Sequence, residues 1–181
     1  PTADDSAFLR RVTLDLTGRL PTPTMQHEYA VNSSPAKRQQ LVDRLLASDE
    51  FTEYWTLRFA KQLRIRSQPG DTRGALTYHS WLKRQIGSGV PYDRLARTIL
   101  TATGDTHEVG PANFYRTGGG PRKQAEFVSE LFMGTRLRCA NCHNHPLDRW
   151  TQDDYHGLAA IFAKVNRGRV IKVVARGEVA H

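Results

Sequence analysis

The sequence lacks the features that mark several large classes of protein. No apolar run approaches the roughly 20 residues that a helix needs to cross a lipid bilayer, so no membrane span is predicted. Gly118-Gly119-Gly120 is not followed by the Lys-Ser or Lys-Thr pair of a phosphate-binding loop. No constellation typical of ordinary hydrolysis stands out, and no catalytic residue is predicted. Cysteine is scarce, with two residues in 181.

The composition is that of an ordinary globular protein with an excess of positive charge. The chain has 39% hydrophobic and 24% charged residues, and its length fits one domain with a substantial core. Its formal net charge is +8, from 26 Lys and Arg against 18 Asp and Glu. The basic residues lie on separate segments rather than in one stripe with interleaved aromatics. We therefore expect solvated helix faces and predict no nucleic-acid partner.

The first residues contain neither an initiator methionine nor a secretory signal peptide, since the sequence begins at Pro1. We expect the sequence to be a fragment of a longer protein.

Helical spacing of apolar residues dominates the chain. Residues 104–121 interrupt it with a long Gly-rich loop, which we expect either to wrap the edge of a cofactor or to form a flexible surface connection. The run Arg169–Ala175 is the clearest strand candidate. The prediction is an all-α, multi-helix domain over residues 1–166, followed by a strand or linker over 167–181 toward a further domain. The predicted helices cover residues 4–16, 22–31, 36–47, 51–65, 76–86, 91–100, 123–137 and 151–162.

Both cysteines lie in the segment Cys139-Ala140-Asn141-Cys142-His143. Cys-x-x-Cys-His is the attachment pattern of c-type haem. Residues three apart on a helical turn project from one face, so two thiols can form thioethers with the two vinyl groups of one porphyrin. His143 lies beside Cys142, where it would be the proximal ligand of the iron. The predicted cofactor is a covalent haem c bound through Cys139, Cys142 and His143, and the predicted fold is that of a c-type cytochrome-like domain.

Other interpretations of the two cysteines stay open. A thioredoxin-like redox pair normally opens a helix after a strand, whereas a helical apolar stretch precedes this one. A zinc site would use Cys139, Cys142 and two of His143, His145 and His156, although common zinc motifs separate their ligand pairs by a longer loop. A disulfide between the two cysteines would close a very small loop and constrain little of the unfolded chain.

The ligand on the opposite face of the iron is the least determined part of the predicted site. His145 is too close in sequence to His143 to reach that face, and an open sixth position is an alternative. A Met or His ligand would favour electron transfer, and an open position would favour small-molecule binding or redox catalysis. The candidates are Met133, His156, His107 and His79, with Met25 and His27 more remote.

The sequence resembles the planctomycete cytochrome-like domain, the second of that named series, which is described as a domain of unknown function. The resemblance covers nearly the whole chain, and its blocks occur in the family's order. The segment Tyr54–Phe59 lacks the His-Trp pair found in many relatives, so a distal histidine at that position is not available here. The blocks that carry the resemblance are Phe8–Gly18, Pro21–Pro23, Leu41–Ser48, Pro91–Asp93, Gly110–Arg116 and Cys139–Tyr155.

The resemblance implies a module of a large exported protein, often after another cytochrome-like domain and before a partner domain of unknown function, and sometimes beside carbohydrate-binding modules. Covalent haem attachment also takes place outside the cytoplasm, so we expect a periplasmic or exported location. The expected function is electron transfer to or from a redox domain in the same polypeptide, linked to polysaccharide processing, rather than that of a stand-alone enzyme. The alternatives are a structural or interaction domain with a zinc-bound or metal-free Cys/His site, and a redox enzyme with an open haem iron.

Overall fold

The computed structural model describes residues 3–174, and most of them are helical. This agrees with the predicted all-α class. The chain divides into two compact units, one formed by residues 1–61 and 83–89 and the other by residues 62–82 and 90–181. The boundary expected at residue 166 stays a prediction. Within residues 3–174 no helix combines the length and the apolar character needed to cross a membrane.

The first unit contains four helices and the end of a fifth, and the first two begin at side-chain N-caps. Asp4 accepts a hydrogen bond from the Ala7 amide, and Thr22 accepts one from the Met25 amide. Such N-caps satisfy amides that have no partner within the helix. The helices are α1 (Asp5–Thr17), α2 (Pro23–Val31), α3 (Lys37–Leu46) and α4 (Asp49–Gln62), the last belonging to this unit up to Lys61.

The core of the first unit lies among α1, α2 and α3. Four buried side chains form it, and partly buried apolar residues pack around them. The left-handed conformation of Gly18, with φ of 68°, ends α1 and brings the backbone against the Tyr54 ring of α4. The four core residues are Leu9, Tyr29, Leu41 and Leu45.

The second unit contains the remaining helices and a small sheet. Helix α5 (Thr72–Gly87) belongs to it as far as Leu82. Strand β3 pairs antiparallel with both of its neighbours, in the order β1-β3-β2. The other elements are α6 (Tyr92–Leu100), β1 (Gly104–Asp105), a first 3₁₀ helix (Gly110–Arg116), α7 (Pro121–Phe132), a second 3₁₀ helix (Leu137–Asn141), α8 (Gln152–Ala163), β2 (Val165–Arg167) and β3 (Val170–Val173).

The prediction of one C-terminal strand was incomplete, because a strand needs neighbours for its backbone hydrogen bonds. Val165 pairs with Val173 across the β2–β3 hairpin, and Gly104 of the Gly-rich segment pairs with Ile171. The partners of the predicted strand therefore come partly from a distant segment. The last residue of that prediction, Ala175, lies outside the described residues.

The Gly-rich segment is ordered and buried rather than a flexible surface connection. The first 3₁₀ helix places Phe114 in the core, fully buried and stacked on Phe127 of α7. The Asn113 amide donates to the carbonyl oxygens of Thr106 and Gly110, at 2.7 and 3.1 Å. These bonds satisfy backbone groups of the buried segment, so its glycines and prolines accompany a compact turn.

Helix α7 ends earlier than the apolar pattern predicted. It was expected to continue to Leu137 but stops at Phe132, where the amides of Met133 and Thr135 both donate to the Ser129 carbonyl oxygen. Gly134 adopts φ of 66°, a left-handed conformation that ends helices. The cysteine motif therefore begins on a separate 3₁₀ turn rather than at the end of α7.

Candidate functional site

The Cys-x-x-Cys-His segment begins in the second 3₁₀ helix, which has one buried and one exposed edge. Leu137 is 1% exposed and Ala140 is fully buried, whereas Cys139 and Cys142 are exposed and free. A 3₁₀ helix has three residues per turn, so residues three apart lie one above the other. The buried pair thus attaches the turn to the core, while Cys139 on the turn and Cys142, the residue that follows it, are both exposed to solvent.

The buried edge packs against helix α8. Leu137, Ala140 and the fully buried Tyr155 form one cluster, with Trp150 and Leu158 partly buried around it. The Tyr155 hydroxyl donates a 2.9 Å hydrogen bond to Glu126 of α7. Burial and this carboxylate raise the pKa of Tyr155 to about 12, so the phenol stays protonated as a donor at neutral pH. Helices α7 and α8 together hold the turn.

The chain between the motif and α8 is fixed by hydrogen bonds at its start and its end. The Gln152 amide donates to Asn144 Oδ1 at 3.1 Å, and the Gln152 side chain donates to the Asn141 carbonyl oxygen at 3.2 Å. Thr151 and Asp154 form a capping box at the start of α8. Hydrogen bonds from Thr151 lower the pKa of Asp154, so this carboxylate is ionised as the cap requires.

His143 is exposed, and one of its ring nitrogens has a partner. Its Nδ1 lies 2.7 Å from the Asn144 carbonyl oxygen. A carbonyl oxygen only accepts hydrogen bonds, so Nδ1 carries the proton and Nε2 of the neutral ring keeps its lone pair. Histidines that bind metals are typically held in this way, with the nitrogen that does not bind the metal donating to a carbonyl or carboxylate oxygen.

The candidates for the sixth ligand of a haem iron differ in their exposure and in their contacts with other residues. Met133 follows α7 and is 44% exposed, and His79 is exposed on α5. His156 packs edge-on against the Tyr155 ring. His107 is paired through Nε2 with Asp71, at 2.9 Å. Met25 and His27 belong to the first unit, whereas the cysteine motif belongs to the second.

The histidines and cysteines of the zinc alternative do not form a preassembled site. Within residues 3–174, no three side chains of His, Cys, Asp or Glu converge in a group that could hold a metal ion. The combination of Cys139 and Cys142 with two nearby histidines is therefore not assembled in this structure.

An ion-pair network in the second unit was not anticipated from the sequence. Asp71 binds Arg116 at 2.5 Å through one carboxylate oxygen, while the other accepts from His107 and from the Gly74 amide. The Arg116 guanidinium, followed by the other two donors, lowers the pKa of Asp71 to about 2. No short-range pattern predicts this cluster, because Asp71 and Arg116 are 45 positions apart.

The comparisons with known proteins identify one family. The model of PSCyt2, described as a protein of unknown function (DUF1549), matches residues 1–167. This span includes the whole cysteine motif and helix α8. Neither the curated proteins nor the solved structures contain a match to the chain.

Proposed function

Because the chain belongs to the planctomycete cytochrome-like domain family, we propose that it is a monohaem c-type cytochrome module that exchanges electrons with a partner redox domain. One arrangement carries the proposal. Two free, exposed thiols lie on and directly after a turn anchored in the core, and the next residue is a histidine whose Nδ1 donates to a carbonyl oxygen. Both thioether positions and the Nε2 lone pair of His143 are thus available.

The donor set fits the chemistry of a covalent haem. Cys139 and Cys142 would bind the porphyrin through thioethers, and His143 would bind the iron. All three side chains are exposed, so a planar group can approach them without unfolding the turn. When bound, haem supplies a one-electron couple whose potential depends on the axial ligands and on burial.

The protein's own contribution is to fix the positions of these three side chains. Leu137 and Ala140 prevent the turn from rotating, because rotation would expose buried apolar surface. The Asn144 carbonyl oxygen restrains the His143 ring and selects the tautomer with a free Nε2. A preorganised ligand reduces the entropy lost when the metal group binds.

The cellular context belongs to the same proposal. Covalent haem attachment outside the cytoplasm supports a periplasmic or exported parent protein. A single haem of this kind needs an electron donor and an acceptor, which supports a second redox domain in the same polypeptide. A role in polysaccharide processing rests on the domain arrangements that the family resemblance implies.

The test is to produce the full chain together with a haem-attachment system and to record pyridine haemochrome spectra after denaturation. We expect a covalent c-type spectrum with one haem per chain. Replacing Cys139 or Cys142 by Ser leaves one thioether and shifts the spectrum toward that of a single vinyl linkage. The double variant should retain no covalent haem.

Other measurements on the same protein separate the alternatives. Metal analysis that finds stoichiometric zinc and no iron would contradict the proposal and support a structural Cys/His site. If haem is attached, carbon monoxide added to the reduced protein reports the sixth position. Rapid binding indicates an open iron and a redox enzyme, and no binding indicates a sixth ligand and an electron-transfer module.

A further inference from the structure

His145 lies two residues after His143 but has the opposite hydrogen-bonding pattern. Its Nδ1 accepts a 3.2 Å hydrogen bond from the Leu147 amide. An amide nitrogen only donates, so Nδ1 of His145 keeps its lone pair and Nε2 of the neutral ring carries the proton. Nε2 of His143 is therefore an acceptor, and Nε2 of His145 is a donor.

The backbone around His145 fixes this pattern. The His145 amide donates to the Trp150 carbonyl oxygen at 2.8 Å, which closes the loop between these two residues. The loop brings the Leu147 amide to Nδ1 of His145, and the Leu147 side chain itself is 92% exposed. A rotation of the His145 ring would leave the Leu147 amide without this partner.

Within residues 3–174 the His145 side chain makes no other hydrogen bond, so its Nε2–H has no acceptor from the protein. His145 is partly exposed as a residue, and its Nε2 reaches the surface, where a ligand can approach it. We infer that His145 does not ligate the metal and instead donates through Nε2 to a carboxylate of the bound haem. This inference rests on the proposed function, and it assigns His145 a role in haem binding that differs from that of the iron ligand His143.

The chemistry of haem supports this choice of acceptor. The two propionates are the strong hydrogen-bond acceptors at the periphery of a porphyrin. A neutral donor to a carboxylate stabilises its negative charge and weakens the field that this charge exerts at the iron. Loss of the donor therefore favours the ferric state and lowers the reduction potential.

The first test measures the tautomers in the haem-free chain by long-range proton–nitrogen correlation NMR at a pH where both rings are neutral. We expect a proton on Nδ1 of His143 and on Nε2 of His145. A proton on Nδ1 of His145 would overturn the inference whatever the protein binds.

The second test uses two substitutions that separate the ring nitrogens. His145→Asn keeps an acceptor near the position of Nδ1 but has no donor at the distance of Nε2. His145→Gln places an amide donor at that distance. In the haem-loaded chain we expect His145→Asn to lower the midpoint potential and His145→Gln to restore most of the difference, with the covalent haem retained in both.

The outcomes distinguish the two proposals. Equal potentials in the wild type and His145→Asn, or equal shifts in both variants, would overturn the role of His145 and leave the haem assignment intact. A chain that attaches no haem under conditions that load a control cytochrome would overturn the proposed function together with this inference.

Discussion

The clearest test of the buried edge is Leu137→Ala. Leu137 is 1% exposed and packs with Ala140 and Tyr155. The substitution removes about three carbon atoms from the core, worth about 2.4 kcal/mol at roughly 0.8 kcal/mol per methylene group. The cavity that remains adds to this loss, so we expect a decrease of about 2.5–4 kcal/mol in the free energy of unfolding.

The same substitution nearby provides a matched control. Leu147 is ten residues away in the same segment but is 92% exposed. Leu147→Ala should change the free energy of unfolding by less than about 0.5 kcal/mol, because a fully hydrated side chain contributes little. Both variants remove the same atoms, so the difference between them measures the burial of Leu137.

Urea unfolding of the haem-free full chain, followed by far-ultraviolet circular dichroism, measures both variants. At about 2–4 °C per kcal/mol for a protein of this size, Leu137→Ala should also lower Tm by about 5–15 °C. The result that would refute the reasoning is an equally small effect of the two substitutions. The turn that carries the cysteines would then not be attached to the core through Leu137.

Three further changes test other parts of the structure. Gly18→Ala and Gly89→Ala each place a side chain on a residue in the left-handed conformation, and this conformation costs a residue with a side chain about 1–2 kcal/mol. At Gly18 the new Cβ also overlaps the Tyr54 ring, whereas at Gly89 it meets no neighbour. Gly18→Ala should therefore be more destabilising in urea by about 1–3 kcal/mol, and equal effects would contradict the contact. Thr151→Ala removes the cap of α8 and should lower the free energy of unfolding by about 1 kcal/mol, whereas an unchanged urea midpoint would argue against the capping box. The pKa of Asp71 falls from 3.8 to about 2 on folding, so its contribution to stability is present above pH 3.8 and lost as the pH falls through about 2. Acid unfolding monitored by circular dichroism should thus depend less on pH over this range in Asp71→Asn than in the wild type, and identical pH profiles would contradict the ion pairs.

Local signals in the sequence predicted the helices well. The predicted helices over residues 4–16, 22–31 and 151–162 begin at Asp4, Thr22 and Thr151, and each of these side chains accepts a backbone hydrogen bond as an N-cap. Such signals succeed because a cap and its helix lie within three or four residues of each other. The family was also predicted from blocks of sequence, and the match over residues 1–167 confirms it.

Two predictions were wrong, one because a local stop signal outweighs apolar spacing and one because a distant partner decides the local structure. Apolar spacing alone extended α7 to Leu137, but left-handed Gly134 and the hydrogen bonds to Ser129 end it at Phe132. The Gly-rich segment resembled an irregular loop, yet Phe114 is buried by packing against α7 and α6 lies beside it. Turn residues indicate where the chain bends and give no information on what it packs against.

The sequence was enough to propose the chemistry of the candidate site, because Cys139, Cys142 and His143 lie within five residues and their reactive groups belong to the residue types. Tertiary structure decided how those groups are presented. Burial of Leu137 and Ala140 directs both thiols to solvent, and the carbonyl oxygen of Asn144 leaves Nε2 of His143 free. Burial and hydrogen bonding depend on neighbours that are brought together only by folding, so the sequence pattern alone could not specify them.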